Sequence, residues 1–308
     1  MDAAEQSHFR IGIDLGGTKT ELVALSPSGE TIVQERVSTR KGDYGATIST
    51  ISGLVKRAED RIGHICSVGI GIPGTVSRDT GLVKNANSTW LIGKPLGRDL
   101  EEALARPVRI QNDANCFAVS EAADGAGRDG EIVFGVILGT GVGAGIAIRR
   151  EAIEGRNAIA GEWGHNPLPA PRDDERPGEK CYCGRHGCIE TFLSGPALER
   201  QYVSAGGAPL PGSEIAARAA AGDRIADAVL GRYEERLARA LAHVINILDP
   251  DIIVLGGGLS NVRRLYETVP RLWEPHVFSD IVKTELKPPV HGDSSGVRGA
   301  AWLWPATV

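Results

Sequence analysis

Apolar and polar residues follow one another along the first part of the chain in a pattern that predicts strands and helices. Three apolar runs within residues 9–39, separated by glycine-rich or polar turns, predict an antiparallel meander of three strands. Apolar residues at helical spacing predict a helix over residues 43–62, and a buried strand follows at residues 66–73. A helix over residues 99–105 and a strand over residues 108–112 complete this part.

The same order of strand, glycine turn and strand recurs in the second part of the chain. After a helix over residues 114–125, two strands at residues 131–139 and 144–150 flank a glycine turn. A long amphipathic helix over residues 226–249 then leads into a buried strand at residues 251–258. The architecture repeats while the sequence does not, which predicts two related α/β lobes.

Composition and charge narrow the class of protein. The 308 residues are 42% hydrophobic and 24% charged, as in an ordinary globular protein, with a net charge of −5. No basic run suits a nucleic-acid partner, and no apolar stretch reaches the ~18 residues of a membrane span. Five cysteines and no export signal are typical of a reducing compartment, so we expect a cytoplasmic protein.

Glycine-rich loops are the first candidate chemistry. In DLGGTKT, residues 14–20, backbone amides form an anion-binding nest, and the preceding carboxylate is suited to hydrated Mg²⁺, although a simple hairpin turn explains the loop equally well. GIGIPG, residues 69–74, matches a dinucleotide pattern only formally, because Pro73 and a segment without helical period follow.

Two further loops extend this pattern. LGTGVGAG places glycines at residues 139–145 on a second hairpin, and GGGLS, residues 256–260, follows a buried strand and precedes a predicted helix over residues 261–269. Three such loops, two of them on matching hairpins, indicate a nucleotide held between duplicated lobes. We therefore predict the α/β fold of the actin-like ATPases, which actin, Hsp70 and sugar kinases share, with an interlobe cleft.

Polar residues suited to a sugar lie near the end of the predicted strand 108–112. Asn112 and Asp113 begin a helix there, where they serve either as ordinary helix caps or as a site with a general base. Amide and carboxylate side chains that would hold sugar hydroxyls occur at Asn87, Asn112, Asp113, Glu162 and Glu190.

Three of the five cysteines lie within CYCGRHGCIE, residues 181–190, after a Pro- and charge-rich segment, residues 167–180, that predicts a surface loop. The spacing differs from that of a redox pair, and one disulfide would leave a thiol unpaired. Three thiolates suit a structural zinc ion if a fourth ligand completes the tetrahedron. His186, inside the cluster, is one possible ligand.

Together these motifs resemble the ROK family of bacterial sugar kinases and related repressors. The resemblance rests on IGIDLGGTKTELVAL, GIGIPG, NDANCFAVSEA, ILGTGVGAG, GEWGHNPL, CYCGRHGCIE and HGDSSGVRGAA, which extend from residue 11 to residue 301. VKNANSTW, with the segments NDANC, AGEWGHNPLP and ILDPDIIVLGGG, is most similar to the fructokinase (manno-fructokinase) branch. The N-acetylglucosamine kinase branch shares most loops but lacks NSTW.

The resemblance implies a role for individual residues. The general base would be Asp113. Sugar binding would fall to Gly74, Asn112, Glu162, His165 and Glu190, with Asn87 added from the residues themselves. ATP and Mg²⁺ would be bound by Asp14, Gly16, Gly17, Thr18, Lys19, Gly139, Thr140, Gly141, Gly143, Gly256 and Gly257. Structural zinc would be held by His165, Cys181, Cys183 and Cys188, with His165 taking the place left open above.

The implied activity is transfer of the γ-phosphate of ATP to the primary 6-hydroxyl of a hexose, with D-fructose as the expected substrate. The alternatives are N-acetylglucosamine, N-acetylmannosamine or glucose as the acceptor. A sugar sensor without turnover is a further alternative, but the catalytic aspartate and the glycines are present. A DNA-binding regulator is not expected, because only about ten polar residues precede the first loop.

The resemblance also predicts a homodimer and a division of the chain into lobes. Residues 1–115 and a C-terminal helix over about 295–308 would form the first lobe, and residues 116–294 the second. Trp302 and Trp304 would pack this helix against the first lobe.

Overall fold

The computed structural model describes residues 9–86 and 88–304, in which twelve strands and nine helices occur. The strands are β1 (Arg10–Leu15), β2 (Lys19–Leu25), β3 (Thr31–Ser38), β4 (Ser67–Ile72), β5 (Thr75–Val76), β6 (Val83–Lys84), β7 (Val108–Asn112), β8 (Ile132–Leu138), β9 (Val142–Ile148), β10 (Glu151–Ala152), β11 (Ile252–Gly256) and β12 (Glu285–Lys287). The helices are α1 (Tyr44–Ile62), α2 (Leu96–Leu104), α3 (Asp113–Ala123), α4 (Ile189–Leu193), α5 (Gly195–Ser204), α6 (Gly212–Ala220), α7 (Arg224–Leu248), α8 (Arg264–Trp273) and α9 (Ser295–Trp302).

Two five-stranded sheets share one topology. The first has the order β3-β2-β1-β4-β7 and the second the order β10-β9-β8-β11-β12. In each sheet the first three strands pair antiparallel and the remaining pairs are parallel. The predicted duplication and the predicted actin-like ATPase fold are confirmed, whereas the lobe boundaries at residues 115 and 295 stay a prediction.

Helices α3 and α9 pack against each other and against both hairpins through glycines that admit no side chain. A β-carbon on Gly12 would lie 2.0 Å from the Val297 carbonyl oxygen, and one on Gly69 would lie 1.8 Å from that of Ala300. Gly69 opens the GIGIPG segment, so its glycine serves close helix packing and not a dinucleotide.

The C-terminal helix α9 covers the first sheet, as the tryptophans predict. Arg10 lies over the Trp302 ring at 4.6 Å, and the Trp304 indole donates to the Val68 carbonyl at 2.7 Å. The helix ends at Trp302, earlier than the predicted residue 308, and residues 305–308 lie outside the described part of the chain.

The long connection between β10 and α7, residues 153–223, contains the cysteine cluster and helices α4, α5 and α6. Its Pro-rich part was predicted to be a surface loop, but Glu175 within it is only 3% exposed. The carboxylate of Glu175 is 2.7 Å from Arg236 Nε and 2.9 Å from Arg239 Nη2, both on α7. These ion pairs anchor the segment to the second lobe.

The third glycine loop also differs from the prediction. A short 3₁₀ turn at Gly258–Asn261 follows β11, and the helix itself begins only at Arg264. Among the described residues, no helix combines the length and the apolar character that crossing a lipid bilayer requires.

Candidate active site

The strand-to-helix junction at Asp113 is built as predicted. Strand β7 ends at Asn112 and α3 begins at Asp113. The Asn112 side chain accepts a hydrogen bond from the Ala114 amide at 2.9 Å and donates one to the Gly74 carbonyl at 3.1 Å. Asn112 is thus the helix cap, which leaves the Asp113 side chain accessible from the cleft.

The Asp113 carboxyl has an altered acidity. Solvent reaches the side chain from the cleft, but the protein atoms packed around it reduce the hydration of the charged form and raise the pKa of Asp113 to about 6. The carboxylates of Asp14 and Glu162 add to the rise, while the hydrogen bond from the Ala114 amide opposes it. A carboxyl with this pKa is largely ionised at neutral pH and still accepts a proton more readily than an ordinary aspartate, as general base catalysis requires.

Asp113 lies where two cavities meet. The first, which we call the Glu162 cavity, has a volume of about 670 Å³, and the second, the Asp14 cavity, about 480 Å³. The Glu162 cavity is lined by Pro73, Gly74, Asn85, Ala86, Asn112, Asp113, Ala114, Ile137, Gly139, Thr140, Gly141, Val142, Gly143, Ala144, Gly161, Glu162, His165, Tyr182, Cys183 and Glu190. The Asp14 cavity is lined by Asp14, Leu15, Gly16, Gly17, Thr18, Lys41, Pro73, Ser88, Trp90 and Asp113.

The first glycine loop is a tight turn between β1 and β2. The Gly16 amide donates to the Lys19 carbonyl at 3.0 Å, and the Thr39 hydroxyl donates to the Gly16 carbonyl at 2.9 Å. Burial raises the pKa of Asp14, which the Lys19 ammonium partly offsets. Lys19 itself lines neither cavity, and its Nζ lies 4.0 Å from the buried Glu21 carboxylate.

The second glycine loop holds a carboxylate from elsewhere in the chain. The Val142 amide donates to Glu190 Oε2 at 3.0 Å, and a β-carbon on Gly141 would lie 2.6 Å from the same oxygen. Glycine at residue 141 is therefore required for this approach of Glu190. The four predicted residues of this loop, Gly139, Thr140, Gly141 and Gly143, all line the Glu162 cavity.

The third loop has a packing reason for its glycines. A β-carbon on Gly256 would lie 2.7 Å from the Phe117 ring, and one on Gly257 would lie 2.5 Å from the Leu138 carbonyl oxygen. Neither glycine lines the two cavities, so their contact with adenosine stays a prediction.

The cysteine cluster fits a zinc ion. Single ligand atoms of His165, Cys181, Cys183 and Cys188 all lie within 4.8 Å of one another. His165 Nδ1 is 3.5 Å from Cys181 Sγ, and the other two thiols are 3.6 Å apart. Tetrahedral zinc with three thiolates and one imidazole would hold S···S pairs at about 3.8 Å and N···S pairs at about 3.5 Å. The five cysteines are all free, and His186 is not in this group.

His165 has a second partner that the sequence analysis missed. Its Nε2 lies 2.8 Å from the Tyr182 hydroxyl, and both residues line the Glu162 cavity. Tyr182 lies between two predicted zinc ligands, a position that signals proximity to the site. The other cavity residues with polar side-chain atoms that the sequence analysis did not name individually are Lys41, Asn85, Ser88 and Trp90. Asn87 lies outside the described residues.

Known proteins with similar sequences cover almost the same length. A sequence model of the ROK family matches residues 10–307. The N-acetyl-D-glucosamine kinase of Yersinia pseudotuberculosis is 40% identical over 296 residues, 95% of this chain and 97% of that protein. The N-acetyl-D-glucosamine kinase of Haemophilus influenzae is 40% identical over 298 residues, 95% of this chain and 98% of that protein.

Solved structures agree in fold. A ROK hexokinase from Thermus thermophilus superimposes with a TM-score of 0.84 at 28% identity, covering 96% of this chain and 97% of that one. A ROK family glucokinase from Streptomyces griseus, in complex with glucose and AMPPNP, has a TM-score of 0.73 at 26% identity, with 95% and 98% covered. Because the family model and relatives at 40% identity both cover almost its whole length, the protein belongs to the ROK family.

Proposed function

We propose that this member of the ROK family is an ATP-dependent sugar kinase that transfers a phosphoryl group to the 6-hydroxyl of a hexose. The observation that carries the proposal is the position of Asp113, which lines both cavities. A sugar in the Glu162 cavity and the terminal phosphate of ATP in the Asp14 cavity would meet at this carboxylate.

The reaction then follows from the residues around Asp113. The carboxylate takes the proton of the sugar hydroxyl, whose oxygen forms a bond to the γ-phosphorus while the bond between that phosphorus and the bridging oxygen of ADP breaks. The amide of Gly17 would bind a phosphate oxygen, whereas the amide of Gly16, which was also expected to do so, is already bonded to the Lys19 carbonyl. Mg²⁺, when bound, supplies charge neutralisation. Asp14, which lines the Asp14 cavity, would hold Mg²⁺ through its carboxylate, because this ion prefers oxygen ligands.

N-acetyl-D-glucosamine is the proposed sugar. Kinases named for that substrate are 40% identical to this protein over 95% of its length. The polar side chains that would bind its hydroxyls are Asn112, Glu162 and Glu190, all of which line the Glu162 cavity.

D-fructose is the second candidate, and one segment favours it. Residues 84–90 have the sequence KNANSTW, which resembles the fructokinase branch, and they contribute Asn85 and Ala86 to the Glu162 cavity and Ser88 and Trp90 to the Asp14 cavity. The relatives reported above do not support that branch, so the order of the two sugars is reversed relative to the sequence-based expectation.

Zinc has a structural part in this proposal. Closed Cys₃His sites lack an open position for catalysis. Here the site would hold the segment that carries Glu162, Tyr182 and Glu190 against the cavity. Metal analysis should find zinc in amounts equal to the chain, and metal-free active enzyme would contradict this part. Homodimer assembly and a cytoplasmic location stay predictions from the sequence.

A panel of sugars with ATP and coupled detection of ADP tests the proposal. We expect turnover with hexoses that have a free 6-hydroxyl, with the highest kcat/KM for N-acetyl-D-glucosamine. A higher kcat/KM for D-fructose would establish the second candidate. Sugar binding without ADP release for every hexose would replace the kinase with a sugar sensor.

A further inference from the structure

Ser88 has a buried hydroxyl that no described residue binds. The side chain is 1% exposed, and its Oγ has no hydrogen-bond partner among the described residues. Ser88 precedes the 3₁₀ turn Thr89–Leu91, a position where serine usually caps the turn with its side chain, yet no such bond forms. Because a buried hydroxyl without a partner costs free energy, its retention here needs a reason.

The Ser88 hydroxyl faces the first glycine loop. A β-carbon on Gly17 would lie 3.6 Å from Ser88 Oγ. Ser88 lines the Asp14 cavity together with Thr18 and Asp113, and this is the cavity that the proposed function assigns to the phosphates.

The backbone that carries Ser88 is held in place. The Leu91 amide donates to the Ser88 carbonyl at 3.0 Å, and Leu91 is fully buried. The Gly93 amide donates to the Val83 carbonyl at 2.9 Å, which closes the segment from the other side. A donor on a fixed turn loses little entropy when it binds a ligand, which is the condition for effective transition-state stabilisation.

We propose that Ser88 is a catalytic residue whose hydroxyl donates a hydrogen bond to an oxygen of the phosphoryl group during its transfer. The inference rests on the proposed function. The proton of the sugar hydroxyl goes to Asp113, the phosphorus moves from ADP to the sugar oxygen, and Ser88 keeps its own proton throughout. Asn85 and Ala86 line the proposed sugar cavity, while Ser88 and Trp90 line the proposed phosphate cavity.

The Ser88→Ala variant tests this role. Loss of a hydrogen bond to a charged group predicts a fall in kcat of about 10- to 100-fold. The KM for the sugar should change less than about threefold, because the contact is made to the phosphoryl group. The melting temperature should stay the same or rise, because removal of an unpartnered hydroxyl takes away an unfavourable burial.

Ser120→Ala is the matched control. Ser120 on α3 is also fully buried, and its hydroxyl likewise has no partner among the described residues, but it lines neither cavity. Its replacement should leave both kcat and KM unchanged.

A binding measurement separates catalysis from folding. With ADP and sugar present, aluminium fluoride should raise the melting temperature of the wild-type protein more than that of Ser88→Ala, whereas ADP and sugar alone should stabilise both equally. A kcat within about twofold of wild type, or a parallel loss of kcat, sugar affinity and melting temperature, would overturn the assignment. Wild-type protein inactive on every hexose would instead refute the proposed function itself.

Discussion

The two sheets have the same strand order, but the connections that follow their third strands differ greatly. In the first sheet β3 reaches α1 through residues 39–43, whereas in the second β10 reaches α7 through residues 153–223. The long connection carries Glu162, His165 and Glu190. The two duplicated sheets thus supply the two glycine hairpins. The connection over residues 153–223, which we call the insertion, supplies most of the side chains proposed to bind the sugar.

The two hairpins themselves differ in the origin of their carboxylates. The first has its own, Asp14, at the end of β1 and opposite Glu21 on β2. The second receives Glu190 from α4, through the bond that the Val142 amide donates. Because Glu190 comes from the insertion, the carboxylate at the second hairpin is in place only when the insertion is folded.

The largest effect is expected at the junction of the two cavities. Asp113→Asn should lower kcat by about 10²- to 10⁴-fold, because the amide does not take the proton of the sugar hydroxyl. Sugar affinity, measured by calorimetry, should change only a few-fold. Asp129→Asn, at an exposed aspartate outside both cavities, is the control and should retain full activity. An Asp113→Asn enzyme with a tenth of wild-type kcat or more would remove Asp113 from its role as base.

The stability of the folded insertion should depend strongly on Glu175. Replacement by glutamine leaves the buried guanidinium group of Arg236 without a charged partner and leaves that of Arg239 with Glu235 alone. This predicts a loss of about 3 to 5 kcal/mol in the free energy of unfolding by urea. Asp173→Asn is the control, because the ion pair of Asp173 with Arg176 is fully exposed and should contribute little.

The pH dependence of this loss follows from the pKa of Glu175. Hydrogen bonds and charge from arginines outweigh burial and lower its pKa to about 2. Its stabilising contribution is therefore complete above its ordinary pKa and is lost as the pH falls toward 2. The difference between wild type and Glu175→Gln should shrink below pH 4, and a constant difference down to pH 2 would contradict this account.

A smaller effect is expected at Glu190, the carboxylate that the insertion places at the second hairpin. Glu190→Gln keeps an oxygen for the Val142 amide but loses the charge that would bind a sugar hydroxyl. We expect the KM for the sugar to rise about 10-fold, by analogy with other hydrogen bonds to charged groups. Glu179→Gln, at an exposed glutamate of the same insertion, should leave KM unchanged. Equal effects of the two variants on steady-state kinetics would argue against a sugar contact for Glu190.

The smallest effect concerns stability at the active site. The pKa of Asp113 is raised to about 6, so its ionised form destabilises the folded state at pH values above 6, and this cost disappears as the pH falls toward 4. Asp113→Asn should therefore melt at a higher temperature than wild type at pH 8 and at the same temperature near pH 4. A lower melting temperature at pH 8 would show that the carboxylate is well accommodated.

Local patterns predicted most of the frame and much of the site. Strand alternation and glycine hairpins predict both sheets, and residue type alone predicts a sugar site from Asp113, Glu162 and Glu190, which line one cavity in the structure. The sequence did not predict that Glu175 is buried, because the arginines that neutralise it lie about sixty residues further along on α7. The sequence analysis missed Tyr182, whose contact with His165 depends on how residues 153–223 fold, and Ser88, whose position beside Gly17 depends on tertiary packing; periodicity reports neither.

The most direct test of the central claim is the identity of the product. Wild-type protein, incubated with ATP and N-acetyl-D-glucosamine or D-fructose, should release ADP and a sugar phosphate whose carbon and phosphorus NMR spectra show coupling at C6. Phosphate attached at another carbon, or ADP formed without any sugar phosphate, would contradict the transfer that Asp113 is proposed to catalyse.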